Sequence, residues 1–501
     1  MGVAMVGVPS ITIPKGWLKE GDTVILRYGE DIYPGNEDSQ NTNDYYTGLY
    51  GENGTYHANV AGRVLHDTYR AALATDFYTA SAEDENKDVT IQPSLTYRGY
   101  RYIQITIPSS TEALPTENVQ GLVLSSVQEL IGTYEATTTD DTITNYVNQL
   151  FSNIQRSQVG NFMSIPTDCP QRDERLGWTG DAQVFCGTAA YNFHTALFFR
   201  KWLRDMAAET NSEWGVPHVV PNILGNQAGA AAWSDAATII PWTIYKVYGD
   251  KEMLAEQFPM MKNWVDYIHA RVSKNGLWQS GFQYGDWLAL DIESGSTDRT
   301  GGTDKYLVAN AYYAYSTRIV RDAADALGYA EEAKAYGDLY EEIVEAIHVE
   351  YVTRSGRMVS ETQTACVLML YFDLIKPEFR DRILETLELN IGAHHNHLTT
   401  GFVGTPYLCH CLSENGLHGL ADEIFMKEDF PGWLYAVKKG ATTIWERWNS
   451  ILPNGDFDES GMNSLNHYAY GSIGSWLYEK VAGIRCMEPG YKKIRIQPTL
   501  T

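Results

Sequence analysis

A chain of 501 residues with 63 acidic against 38 basic side chains carries a net charge of −25, which repels phosphate backbones and anionic headgroups and argues against nucleic acid and membrane surfaces as partners. Apolar residues make up 44% and charged residues 20%, a globular composition with room for about two to four domains and no apolar run of roughly eighteen residues that could span a bilayer. The 33 tyrosines, 13 tryptophans and 15 phenylalanines are a heavy aromatic load, suited to flat contacts with a partly polar ligand such as a sugar ring. Six scattered cysteines, Cys169, Cys186, Cys366, Cys409, Cys411 and Cys486, form neither a disulfide framework nor a paired CxxC zinc site, so reduced thiols are expected. The N-terminal MGVAMVGVPSITIP reads as a strand rather than a leader, which makes a cytoplasmic location the expectation.

From Val6 to about Ile107 short strand-like runs (ITI, TVILRY, ANVAGRVL, DFYTA, YRGYRYIQITI) alternate with Gly, Asn, Asp and Pro clusters, the pattern of an antiparallel β-sandwich over residues 1–117. Within it Gly35 to Tyr56 is polar and Gly/Asn-rich and reads as a long loop. A linker is expected over 118–140. The period then changes from two to about 3.6: Ile143, Val147, Leu150, Phe151 and Ile154 share a helical face, with Asp141 or Thr142 as N-cap. Helical segments continue to about Ile484, joined by loops rich in Trp, Gly and acids, as in a large all-α domain over 141–484; an (α/α)-barrel of concentric helix pairs would gather such loops at one rim, although the local pattern does not close the ring. No self-similar period supports a helical solenoid. The closing MEPGYKKIRIQPTL returns to strand chemistry, and 485–501 is expected to open a C-terminal β domain that is incomplete here.

The densest chemistry lies in Ser164–Val184, SIPTDCPQRDERLGWTGDAQV. Four carboxylates (Asp168, Asp173, Glu174, Asp181), two arginines (Arg172, Arg175) and Trp178 stand among prolines and glycines, which argues for a shaped loop in which Gly177 and Gly180 permit positive φ. Glu174, near Trp178 and other acids, suits a general acid of raised pKa, and either arginine opposes that shift if its guanidinium lies close. A structural salt bridge is the plainer role for both arginines. Glu446, in GATTIWERWNS between Trp445 and Trp448, either faces a stacking ligand or pairs with Arg447. Trp233 with Asp235, Asp286 with Trp287, and His467 in NSLNHYAYGSIGSW repeat the style, although Asp235 alone also fits a helix N-cap. His394 to His397 (HHNH) and Cys409 to Cys411 (CHC) lack the spacing of metal ligands. No P-loop, GxGxxG, GxSxG or HExxH occurs, and neither a cofactor nor a metal is expected.

DCPQRDERLGWTGDAQ, WSDAATIIPW, GDWL followed by TDKYLVANAYYAYS, ATTIWERW and NHYAYGSIGSWLY, in this order, resemble the bacterial and fungal α-L-rhamnosidases of glycoside hydrolase family 78. SLTYRGYRYIQI resembles the sandwich that precedes the catalytic domain in that family. The resemblance implies an inverting exo-hydrolase that releases terminal α-linked L-rhamnose, with Glu174 as general acid and Glu446 as general base. It implies that Asp168, Asp181 and His467 bind sugar hydroxyls, that Trp178, Trp233 and Trp287 wall the sugar, and that Arg172 reaches it. The two catalytic carboxyls of an inverting enzyme stand roughly 6.5–9.5 Å apart, whereas a separation of about 5 Å points to retention with Glu446 as nucleophile. Members of the family usually carry additional β domains, which leaves oligomeric state open, a homodimer included. The residues by themselves also admit a glycosidase or lyase for another sugar on the same scaffold, or a non-catalytic carbohydrate-binding relative.

Overall fold

A computed structural model describes residues 1–32, 63–225, 227–292, 298–458 and 461–499. The predicted loop 35–56 lies outside the described residues, as does part of the loop 281–302. Two compact units make up the fold, one formed by Met1–Gln128, Gln149–Arg175 and Ala436–Tyr468, the other by Glu129–Asn148, Leu176–Tyr435 and Ala469–Thr501.

The first unit contains strands β1 (Met5–Ile13), β2 (Thr23–Gly29), β3 (Thr75–Thr79), β4 (Val89–Ile91), β5 (Arg98–Tyr100), β6 (Tyr102–Thr106) and β7 (Val119–Val123). β1 pairs antiparallel with β4, β5 and β7, and β2 lies between β3 and β6 in a second antiparallel sheet. Strand alternation turns Ile11 and Ile13 of β1 and Val24, Leu26 and Tyr28 of β2 toward one shared core with Leu18, Tyr69, Val89, Ile91 and Tyr100. Two sheets burying a common core form the β-sandwich. β7 falls inside 118–140, the stretch expected as a linker, because Val119–Val123 completes the ladder on β1. Two further short strands, β8 (Phe162–Met163) and β9 (Ile165–Pro166), make a tight hairpin about Ser164, whose φ is +64°.

The second unit is helical. Thr179–Asn192, Ala236–Tyr248, Lys305–Leu327, Gln363–Tyr371, Thr405–Glu414 and Ile473–Trp476 contact one another in that order, and the last returns to the first. This closes the inner ring of the (α/α)6-barrel. Inner helices are buried nearly all round, as Gln363–Leu370 is without a break, because one side faces the ring and the other an outer helix. Outer helices bury a single stripe: Ala330–Tyr351 hides Tyr336, Tyr340, Ile343 and Ile347 and presents acids elsewhere. The hairpins have clear stop and start chemistry. Gly249 and Gly328 end their helices in the left-handed conformation at φ +70° and +82°, and the Asp250, Asp304 and Thr362 side chains accept N–H bonds of the next helices' first turns. For Asp141–Asn161 the cap is Asp140, one residue before the expected pair, whose carboxylate accepts from Thr142 N at 2.7 Å and Ile143 N at 3.3 Å. Since inner and outer helices alternate along the chain, the inner ones run in one direction, and the loops that enter them gather at one end. The chain closes on an antiparallel pair, β10 (Ile484–Glu488) and β11 (Lys493–Ile496). Among the described residues no helix is long and apolar enough to cross a membrane.

Candidate active site

In the first unit a single guanidinium gathers the predicted acids. Arg172, 1% exposed, donates from Nη1 to Glu446 Oε2 at 2.7 Å, and from Nη2 to Glu446 Oε1 at 3.1 Å and Glu174 Oε2 at 2.6 Å. Asp168 Oδ2 is 3.6 Å from the same Nη2. The loop is shaped to allow this. Arg175 adopts φ +43° and stacks its guanidinium on Tyr97, 4.2 Å from the ring centroid, and Gln171 donates to Ser464 Oγ at 2.8 Å. The positive φ values fall on Ser164 and Arg175 and not on Gly177 or Gly180, so the loop's curvature is carried by residues other than those expected.

The second acid stands on an equally fixed segment. Glu446 is 2% exposed, donates its backbone N–H to Ser464 O at 2.9 Å and accepts Ser464 N on Oε2 at 3.1 Å. His467 N bonds Ile444 O at 2.8 Å, which sets the imidazole beside Glu446. Burial alone raises a carboxyl pKa, but Arg172, His467 and the Ser464 amide outweigh it and hold Glu446 at about 2. Glu446 is therefore ionised and pairs with Arg172 rather than with Arg447, which stands 3.8 Å from Asp458. Burial also depresses His467 to about 4, against the pull of Glu446, so the ring is neutral.

Two members of this cluster carry no motif. Arg70 donates from Nη1 to Glu174 Oε2 at 2.9 Å. Glu30, 4% exposed, accepts Leu465 N at 3.1 Å and is pushed up to about 8 by burial, with Thr68, Leu465 and Arg172 opposing. Its signal was available in the strand parity: 24, 26, 28 and 30 alternate onto the core face, and a carboxyl there needs a partner. Arg70 had none. Sharing Nη2 also brings Glu174 and Glu446 closer than expected, since legs of 2.6 Å and 3.1 Å bound the gap between their nearest oxygens below the roughly 6.5–9.5 Å of an inverting pair. Two carboxylates drawn to one cation account for the difference.

In the second unit three of the predicted tryptophans meet on Tyr284. Trp233 stacks on it at 4.2 Å between centroids, while Trp178 and Trp287 approach edge-on at 6.1 Å and 5.8 Å. The Tyr284 hydroxyl bonds His218 Nδ1 at 3.0 Å, and burial lowers that imidazole to about 4. Tyr284 stands two residues before Asp286 in FQYGDW and was within reach of the same aromatic pattern. Asp181 is buried in the first turn of Thr179–Asn192. Gly180 is required for packing: a Cβ there would lie 2.6 Å from the Trp233 ring, which is itself buried and stacked. Gly180→Ala is expected to destabilise the protein by about 1–3 kcal/mol, read by denaturant unfolding; unchanged stability would mean that Trp233 shifts freely.

Asp235 and Asp286 are structural hubs. Asp235 caps no helix with its side chain; it accepts from Trp264 Nε1 at 2.8 Å, Ser316 Oγ at 2.5 Å and Ala232 N at 2.8 Å, and burial raises it to about 6. Asp286, also raised to about 6 by burial, ties down the loop 400–404 by accepting the amides of Gly401, Val403 and Gly404 and the Thr364 hydroxyl. In HHNH, His397 Nε2 bonds Asp429 Oδ1 at 2.9 Å. Asp168, Cys169 and Glu174 bring ligand-type atoms within 4.8 Å of one another, but burial keeps the Cys169 thiol protonated and Arg172 already supplies the cation there.

Residues 135–481 match the family model described as the bacterial α-L-rhamnosidase six-hairpin glycosidase domain, and residues 1–125 match that of the bacterial α-L-rhamnosidase concanavalin-like domain. The chain belongs to the bacterial α-L-rhamnosidase family. Family relatives include an α-L-rhamnosidase of Formosa agariphila, 37% identical over 99% of this chain and 49% of its own length, and one of Alteromonas sp., 36% identical over 100% of this chain and 50% of its own. Among solved structures of the family, the native rhamnosidase of Aspergillus terreus superimposes with a TM-score of 0.88 at 35% identity, covering 100% of this chain and 54% of that one. The Streptomyces avermitilis enzyme complexed with L-rhamnose gives 0.86 at 35%, covering 100% and 43%. The chain spans about half the length of the curated relatives it matches.

Proposed function

We propose that the chain is an exo-acting α-L-rhamnosidase that inverts the anomeric centre, with Glu174 as general acid and Glu446 as general base. The observation that carries the reading is the shared guanidinium: Arg172 joins Glu174 and Glu446, 272 residues apart in sequence, in a chain whose helical region matches a rhamnosidase domain. In the reaction Glu174 gives its proton to the glycosidic oxygen as the C1–O bond breaks. Water attacks C1 from the opposite face, and its proton passes to Glu446, which is ionised and ready to accept it. Room for that water requires Glu174 to leave Nη2 of Arg172 as the sugar arrives. Asp168, Arg172 and His467 are assigned to sugar hydroxyls, as is Asp181; Trp178, Trp233 and Trp287 are assigned to the apolar methyl corner of a 6-deoxy sugar. A carboxylate that accepts a hydroxyl bond from rhamnose is left unpaired by a sugar lacking that hydroxyl, which gives the site its selectivity.

The test is a panel of 4-nitrophenyl glycosides. Turnover is expected for the α-L-rhamnoside and not for α-L-fucoside, β-D-glucoside or α-D-mannoside. Hydrolysis of one of the others at a comparable rate would overturn the sugar assignment, and rhamnose binding without turnover would make the chain a carbohydrate-binding relative.

A further inference from the structure

We propose that Arg70 is a positioning residue for Glu174, anchoring its carboxyl through Oε2. The inference rests on Glu174 being the general acid. Arg70 comes from the sandwich, 104 residues before Glu174, and its guanidinium is held at three points. Nη1 donates to Glu174 Oε2 at 2.9 Å, Nε to Gly461 O at 3.3 Å, and Nη2 reaches Met462 Sδ at 3.7 Å. Its backbone is left-handed, φ +53°, a conformation that persists in an arginine where the surroundings require it.

Oε2 already accepts the Arg172 bond at 2.6 Å. Arg172 cannot hold the acid in place alone. Its fork is also committed to Glu446 and, at 3.6 Å, to Asp168, and the acid would follow it toward the base. Arg70 gives Glu174 a second anchor, one that stays when the acid leaves Arg172 to meet the sugar. Among the described residues, the charged or titratable groups around Glu174 include Arg70, Arg172, Asp173 (3.9 Å from Arg70 Nη1), Asp168, Cys169 and, beyond Arg172, Glu446.

A residue that acts through the acid shows itself in leaving-group dependence, because a good leaving group needs no proton and a poor one does. For Arg70→Met the kcat on phenyl α-L-rhamnoside is expected to fall on the order of 10-fold more than on the 2,4-dinitrophenyl rhamnoside. Arg70→Lys should recover part of this difference, and it serves as the reading if the methionine variant does not fold. Equal losses on the two substrates would overturn the proposal. Glu174→Gln separates the layers: a leaving-group-dependent loss there with an equal loss in Arg70→Met overturns only the role of Arg70, whereas an equal loss in Glu174→Gln overturns the acid assignment and the role of Arg70 with it.

Discussion

Glu446→Gln is expected to lower kcat on an aryl α-L-rhamnoside by roughly 10²–10⁴-fold, whatever the leaving group, while leaving KM within a few fold. The base acts on water and not on the departing oxygen, so improving the leaving group does not rescue the variant. This separates Glu446 from Glu174, whose glutamine variant recovers on an activated phenol. The amide keeps the shape of the carboxylate, and its oxygen can still accept from Ser464 N or Arg172; Arg172 also retains Glu174 and Asp168 as counter-charges. Folding should survive, and the loss is chemical. External azide offers a further reading, because a small anion that needs no deprotonation can attack C1 in place of the activated water.

Arg172→Met is expected to remove activity and to cost about 3–5 kcal/mol of stability as well. Burying a methionine stem is harmless; the damage lies in what the guanidinium leaves behind. Asp168 and Glu446 are 2% exposed, and without the cation each is a buried carboxylate beside another. Arg172→Lys does not restore the site, since one ammonium cannot supply the two-pronged contact with Glu446 at 2.7 Å and 3.1 Å together with the bond to Glu174. The effect has a defined pH window. Glu446 is depressed from 4.5 to about 2 in the folded protein, so the stability its pairing contributes is fully present above pH 4.5 and lost as pH falls through about 2. The gap between wild type and Arg172→Met, measured by denaturant unfolding, should therefore be widest near neutrality and close as pH falls toward about 2.

What the sequence made legible follows from how local each signal is. Strand parity and helical periodicity are written in neighbours, so the sandwich and the alternating helices could be read, and the motif loops marked Glu174, Glu446 and three of the tryptophans that meet on Tyr284. Ring closure depends on contacts between Thr179–Asn192 and Ile473–Trp476, which no local period encodes. β7 was hidden for the same reason: VQGLV is a strand only because β1 offers an edge. At the site the misses are cations and hubs. Arg70 lies between motifs, and Asp235 looked like a cap because its position before a helix suits one, whereas its partners Trp264 and Ser316 come from other helices. The tightness of the Glu174–Glu446 pair was likewise beyond sequence, since it depends on one guanidinium reaching two segments 272 residues apart.

The account turns on water attacking C1 directly while Glu446 accepts its proton. Proton NMR of the first product released from an aryl α-L-rhamnoside, recorded faster than mutarotation, tests this most directly. The expected result is β-L-rhamnose appearing first and relaxing to the equilibrium mixture. α-L-Rhamnose appearing first would contradict the account, and would make the close Glu174–Glu446 pair that of a retaining enzyme with Glu446 as nucleophile.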